Sequence, residues 1–337
     1  MSNDLRRKII ISLVIALLIY VGLALWSDWQ ELAQALSDFP WAWLPAVIGL
    51  TLVNYAGRLL KWLWYLRLVG VSIAWWDGTR IFGVGMLMVM TPGKAGEFLK
   101  SYMVKNVTGT AMTVTAPVVL AERLTDGMAM LLLASAGLFI FPDPRARLIA
   151  LIVFLGFISF VIIVQYRALA LWFLNMAEGM PVVKGFAHNL HALYESSYII
   201  FRPNNLLIAV TVGVISWSAE GLAYYIVLVG FGATPGPETV LAAIFIFCIS
   251  TVIGAVFALP GGLGGVEGSM VALSMRILGL SSASATAAAL LTRFCTLWMG
   301  VGIGVVSFFL WPDLLAGSEE AERERAQKAA VSPSMTE

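Results

Sequence analysis

The chain has 337 residues, of which 60% are hydrophobic and 12% charged, with a formal net charge of +1. So apolar a composition excludes an ordinary soluble domain, and a charge this close to zero offers no basic surface for nucleic acid. Long apolar runs, with none of the short alternating segments of a β-barrel, predict an all-α polytopic membrane protein.

In chain order, Arg6, Arg7 and Lys8 precede an apolar run over about 9–27. The run is too long for a signal-peptide core and lacks a small-residue cleavage site, so it reads as a retained first span with its N-terminus in the cytoplasm. Trp26 and Trp29 mark an interface, and the loop beyond, with Asp28, Glu31 and Asp38, is placed outside. A second span covers 41–66 and leaves into the cytoplasm at Arg58, Lys61 and Arg67. The segment 79–106 has an apolar half of about a dozen residues, too short to cross, broken at Thr91-Pro92-Gly93 before it turns polar. Spans over about 111–141 and 147–166 follow, then a polar stretch, 167–203, read as a cytoplasmic linker with an amphipathic interfacial helix. A fifth span covers about 204–231, a long apolar stretch at 239–280 is broken by "LPGGLGGVE", a further span covers 283–311, and a charged tail ends the chain. His188 and His191 are the only histidines, two ligands without a nearby Cys, and predict no metal site; Cys248 and Cys295 read as buried free thiols.

The two Pro-Gly breaks belong to a repeat. Glu97 follows "MTPGKAG" and Glu267 follows "LPGGLGGV", 170 positions later. At the same offset Gly109 matches Gly279, Leu120 matches Leu290, Arg123 matches Arg293, Phe139 matches Phe309, and Pro142-Asp143 matches Pro312-Asp313. If each break is a re-entrant hairpin, two full spans separate the copies and the second starts from the opposite face. The prediction is about six full spans plus two Pro/Gly-broken re-entrant hairpins in an inverted-topology repeat; eight full spans is the alternative. The chain then divides into 1–40 (first span and outer loop), 41–143 (first repeat), 144–203 (linking span and linker), 204–313 (second repeat) and 314–337 (cytoplasmic tail).

Backbone broken at membrane depth must be buried in protein or line a wet cavity. Pro92, Gly93 and Gly96 form the first break, and Pro260, Gly261, Gly262, Gly264 and Gly265 the second. A helix that starts after such a break presents N–H groups and a positive dipole end to an anion. An ionised side chain in the bilayer core costs about 2.5–3.5 kcal/mol on insertion scales. Glu97 with Arg123, and Glu267 with Arg293, are therefore expected to pair or to face a polar cavity, either binding substrate or only fixing the fold. A guanidinium fork suits phosphate oxygens, and Asp126, at i+3 from Arg123, would hold that arginine in place. Lys94, Lys100 and Lys105 either form an entrance for anionic headgroups or snorkel to the interface, and Arg58 and Lys61 share that ambiguity. Asn54 and Glu220 lie deeper; a helix-to-helix hydrogen bond is the simpler account of Asn54. There is no Walker sequence, HExxH or GxSxG, so no catalytic residue, cofactor or metal is predicted and the chain reads as a transporter rather than an enzyme.

"TPGKAGEFLKSYMVKN", "APVVLAERLTDGMAMLLL", "LPGGLGGVEGSMVAL" and "LLTRFCTLWMGVGIGVVSFF" together resemble the lysylphosphatidylglycerol synthase transmembrane-region family, also called flippase-like domain proteins, over roughly 8–312. The resemblance implies a membrane domain that moves a lipid between leaflets. In bifunctional members that lipid is aminoacylated phosphatidylglycerol, made by a separate soluble domain. The residues after 312 cannot hold such a domain, so the flippase-like part alone is expected. Related regions accompany polyprenyl-linked sugar and hopanoid pathways. The expected function is thus translocation of a phospholipid or polyprenyl-phosphate-type lipid across a bacterial inner membrane, with both termini cytoplasmic. The alternative is a membrane component or partner of a lipid-modifying enzyme.

Overall fold

The computed structural model describes residues 29–91, 96–137, 187–256 and 260–315, with scattered positions between 148 and 166. The first span at 9–27, most of the span at 147–166, Pro92, Gly93 and Lys94, and the tail beyond 315 lie outside the described residues, as do the side chains of His188 and His191. Among the described residues every regular element is helical. In order they are α1 (Trp29–Asp38), α2 (Leu44–Leu68), α3 (Trp75–Leu87), α4 (Leu99–Thr108), α5 (Met112–Gly137), α6 (Ala187–Ile200), α7 (Pro203–Gly230), α8 (Pro237–Val256), α9 (Gly265–Leu278), α10 (Ser282–Arg293) and α11 (Met299–Leu310).

Local chemistry sets these boundaries. Pro45 and Pro203 sit in the first turns of α2 and α7, where a missing N–H costs nothing. Ser281 caps α10 by accepting from the Ser284 N–H at 3.1 Å. Gly109 and Gly279 end α4 and α9 in the left-handed conformation, φ 76° and 67°, and donate to the Lys105 and Met275 carbonyls. A five-residue π segment, Phe294–Trp298, joins α10 to α11.

Four stretches are long and apolar enough to cross a bilayer: Trp41–Leu68, Pro203–Gly230, Pro237–Val256 and Ser282–Leu310. α5 has 26 residues, enough length, but carries Glu122, Arg123 and Asp126. Large apolar side chains turn outward from these helices, among them Leu52, Leu60, Leu207, Ile215, Phe294 and Phe309. Exposed Trp41, Trp43, Trp75 and Trp76 stand at helix ends, as an interfacial aromatic belt requires. The protein is an integral membrane protein.

The two breaks are not built alike. α3 has 13 residues, about 20 Å, and cannot span, whereas α8 has 20 residues, about 30 Å, and reaches across a hydrocarbon core. The polar stretch before α7 does contain a helix, α6, but its C-terminal end is packed into the protein: Ile200 and Phe201 are buried among Trp62, Tyr65 and Leu66.

Packing crosses between the halves. α3 lies against α11 and α8 against α5, so the first helix of each broken unit packs on the last helix of the other. α2 and α7 pack together, tied by the Asn54 amide donating to the Ser216 carbonyl at 3.0 Å. Met88–Met90, just before the first break, meets Pro260–Gly262 of the second beside an apolar cluster of Leu87, Met88, Met90, Leu263, Leu297 and Val301.

Gly304 makes the α3–α11 approach feasible, because a Cβ there would lie 2.4 Å from the Leu87 backbone nitrogen, which cannot move aside. Gly304→Val is expected to lose most monodisperse protein on size exclusion in detergent. Overpacking costs about 1–3 kcal/mol where neighbours can yield, and here they cannot. Gly302→Ala, which would meet nothing within 4 Å, is the control and should behave as wild type.

Candidate functional site

α5 brings Glu122, Arg123 and Asp126 to its inner face. Glu122 is completely buried and sits among three cations: Lys100 Nζ at 2.5 Å, Arg123 Nη2 at 2.5 Å and Arg58 Nη2 at 3.7 Å. Asp126 pairs with Lys61, with Arg123 Nη2 at 3.6 Å and Arg58 Nε at 3.9 Å. Glu97 approaches Arg123 Nε to 3.1 Å. The first half of the protein thus holds a connected network of four cations and three carboxylates.

Several of these positions differ from the sequence expectation. Lys100 neither snorkels nor lies at an entrance: it is buried, with its ammonium 5.7 Å from the Trp62 ring centre and 5.6 Å from that of Phe82. Lys61 is likewise buried on Asp126. Asp126 does neighbour Arg123, but its close contact is with Lys61. Glu122 was not singled out at all. Its signal was present, since Glu122 and Asp126 at i, i+4 put two carboxylates on one face of an otherwise apolar helix, which demands cations from facing helices.

The second half is simpler and tighter. Arg293 Nε donates to Glu267 Oε1 at 2.7 Å, and Arg293 Nη2 to the Gly261 carbonyl at 2.5 Å. The other Glu267 oxygen accepts the Gly264 N–H at 2.7 Å, so the carboxylate caps α9 from within. The sequence suggested a vacant helix start for an external anion; Glu267 itself occupies that place. Gly261, Gly262 and Gly264 have φ of 60°, 69° and 79°, which only glycine adopts without strain. In the first break, Gly96 N–H donates to Thr91 Oγ1 at 2.8 Å, and that hydroxyl donates to the Met88 carbonyl at 2.6 Å.

Between the halves lies a cavity of about 560 Å³. Glu97, Arg123, Asp126 and Arg293 line it with Gly261 and Gly262, and so do Arg58, Lys100, Tyr55, Glu220 and Thr296. Phe82, Met86, Met130, Trp217 and Phe247 supply apolar wall. The Arg58 and Arg123 side chains keep 18% and 21% of their surface exposed, against 9% for Arg293. Among the described residues the buried Nε groups of Arg58 and Arg123 make no well-aligned hydrogen bond: that of Arg123 lies 3.1 Å from Glu97 Oε2 and that of Arg58 3.9 Å from Asp126 Oδ2. The first half therefore leaves guanidinium surface open beside the cavity, whereas Arg293 is tied to the second break through Glu267 and the Gly261 carbonyl. The Tyr55 hydroxyl donates to the Thr296 carbonyl in the π segment, and such segments free backbone carbonyls near sites. Cys248 and Cys295 are free and buried.

Fold and site define a polytopic helical membrane protein with a charge-lined interior cavity between two broken helical units. The chain belongs to the lysylphosphatidylglycerol synthase TM region family, which it matches over residues 9–304. Two UPF0104 membrane proteins of Methanothermobacter thermautotrophicus are similar to it. One is 26% identical over 323 residues, covering 87% of this chain and 90% of the relative. The other is 24% identical over 334 residues, covering 90% and 96%. A UPF0104 membrane protein of Methanocaldococcus jannaschii is 24% identical over 224 residues, 66% of this chain and 92% of the relative.

Proposed function

We propose that the protein is a lipid translocase that passes a phosphate-bearing headgroup, phospholipid or polyprenyl phosphate, through the cavity while the acyl chains stay in the bilayer. The observation that carries this reading is the pair of guanidinium side chains, Arg58 and Arg123, that line a cavity of headgroup size and stay 18% and 21% exposed. A phosphate diester offers oxygens that a guanidinium fork matches in charge and geometry. Arg293 adds a third guanidinium to the lining, and Glu97 and Glu267 balance charge. The crossed packing of the two units supports an inverted repeat, with the breaks meeting near the midplane and the cavity opening to one leaflet at a time. Arg6, Arg7 and Lys8 before the first apolar run favour a cytoplasmic N-terminus, and the reading places the protein in the inner membrane with both termini cytoplasmic.

The test is leaflet exchange of headgroup-labelled phosphatidylglycerol and polyprenyl phosphate in proteoliposomes. Arg58 reaches its carboxylates only at 3.7 and 3.9 Å. Arg58→Gln is therefore expected to slow exchange at least about tenfold, since each charge-assisted hydrogen bond lost is worth about 1.5–3 kcal/mol, while the melting temperature in detergent stays near wild type. Arg123→Gln should slow exchange as much but also lower the melting temperature, because buried Glu122 loses a partner at 2.5 Å. No exchange of any lipid by well-folded wild-type protein would discard the translocase reading in favour of a membrane partner of a lipid-modifying enzyme.

A further inference from the structure

Glu220, on α7, takes no part in the networks described above. It is 4% exposed, lines the cavity, and makes no hydrogen bond or ion pair among the described residues. The groups that face it come from every helix packed on α7 near this level. They are Tyr55 and Arg58 on α2, Asp126 on α5, Cys248 on α8 and Arg293 on α10.

Charge parity gives Glu220 a task. Among the described residues that line the cavity or pair with its lining stand five cations, Arg58, Lys61, Lys100, Arg123 and Arg293, against four paired carboxylates, Glu97, Glu122, Asp126 and Glu267. Glu220 is the fifth carboxylate. A net charge in a cavity walled by protein and lipid is costly, so the empty site is balanced when Glu220 is ionised. A phosphate diester brings one negative charge. Once it sits by Arg58 and Arg123, the surplus cation is neutralised and the Glu220 carboxylate becomes a surplus anion facing another anion, which disfavours its charged form.

We infer that Glu220 is a proton-binding site that loads together with the anionic headgroup, so that one lipid phosphodiester and one proton enter the cavity as a neutral pair. The balance is simple: the Glu220 carboxylate gains one proton to become the carboxylic acid, and the diester keeps its charge on the arginines. Release on the other side returns the proton to water. A proton gradient then drives the lipid without any nucleotide site. The inference rests on the phosphate-site reading above, and the experiment separates the two.

The full chain in detergent is titrated with dioctanoyl phosphatidylglycerol by calorimetry, in buffers of different protonation enthalpy, between pH 6 and 8. Wild type is expected to take up close to one proton per lipid and to lose affinity by about tenfold per pH unit where Glu220 is ionised in the empty site. Glu220→Gln is expected to bind with no proton uptake and no pH slope. Glu220→Asp should keep the uptake, which guards against a Gln variant that fails to fold. Binding by wild type without proton uptake, or undiminished uptake by a folded Glu220→Gln, overturns the proton site and leaves the phosphate site standing. No binding at all overturns both. In a parallel arm, glycerophosphoglycerol carries the same diester without acyl chains. Uptake matched there would keep the proton site but assign it to a soluble phosphodiester, whereas binding confined to the lipid supports the inference as stated.

Discussion

Glu122→Gln is expected to leave almost no folded protein. The side chain is buried completely and, among the described residues, is the only anion within 4 Å of Lys100, while it also pairs Arg123 and Arg58. The substitution keeps the shape but removes the charge, so the first-half network goes from four cations against three carboxylates to four against two. Removing one partner of a buried ion pair costs about 3–5 kcal/mol, because the remaining charge stays desolvated. That is a large share of a typical stability of about 5–15 kcal/mol. Adding Lys100→Met should recover much of the loss. The double variant has three cations against two carboxylates, the same surplus of one as the wild type, and a flexible apolar chain lies beside Trp62 and Phe82 where the lysine stem lay. Thermal unfolding of the three proteins in one detergent reads the effect directly. A Glu122→Gln protein as stable as wild type would mean that the network contributes little to the fold.

The contrast between what the sequence announced and what it hid has a physical pattern. Helices were legible because apolar runs of bilayer length permit little else, and the breaks because Pro and Gly interrupt such runs visibly. The pairing of Glu97 with Arg123 and of Glu267 with Arg293 was legible because the same charges recur 170 positions apart, and charges at such depth must find one another. Lys61 and Lys100 were not legible. A lysine near the end of an apolar stretch has the same sequence context whether its ammonium bends outward to water or inward to a carboxylate, and only the placement of α5 decides it. Glu122 is hidden by its neighbour: in "AERLTD" the arginine has a match 170 positions on, Arg293, whereas the glutamate has Thr292 at the corresponding place in the second half. The burial of Ile200 and Phe201 was equally beyond reach, since a polar average over 167–203 conceals a single apolar end.

The two glutamates that the repeat equates should respond differently to the same substitution. Glu267→Gln is expected to destabilise the protein strongly, and Glu97→Gln to spare the fold while changing transport. Glu267 is fully buried and both of its oxygens are engaged at 2.7 Å, one by the Arg293 guanidinium and one by the Gly264 N–H. Through Arg293 it also governs the contact with the Gly261 carbonyl, so one carboxylate fastens the start of α9, the glycine turn and α10. A Gln amide satisfies at most one of the two donors and leaves Arg293 unbalanced in a site with 9% exposure. Glu97 touches one arginine at 3.1 Å without hydrogen-bond geometry, and Arg123 keeps Glu122 at 2.5 Å when Glu97 is neutralised. Its loss makes the cavity more positive without unfastening a helix. An anionic headgroup should then bind more tightly and leave more slowly, which lowers leaflet exchange by about tenfold for each 1.4 kcal/mol of added retention. Melting temperature and exchange rate measured on the same two preparations separate the cases. Equal destabilisation by both substitutions would show that the breaks are energetically equivalent despite their geometry. A stable Glu267→Gln protein with normal exchange would remove the capping carboxylate from any essential role.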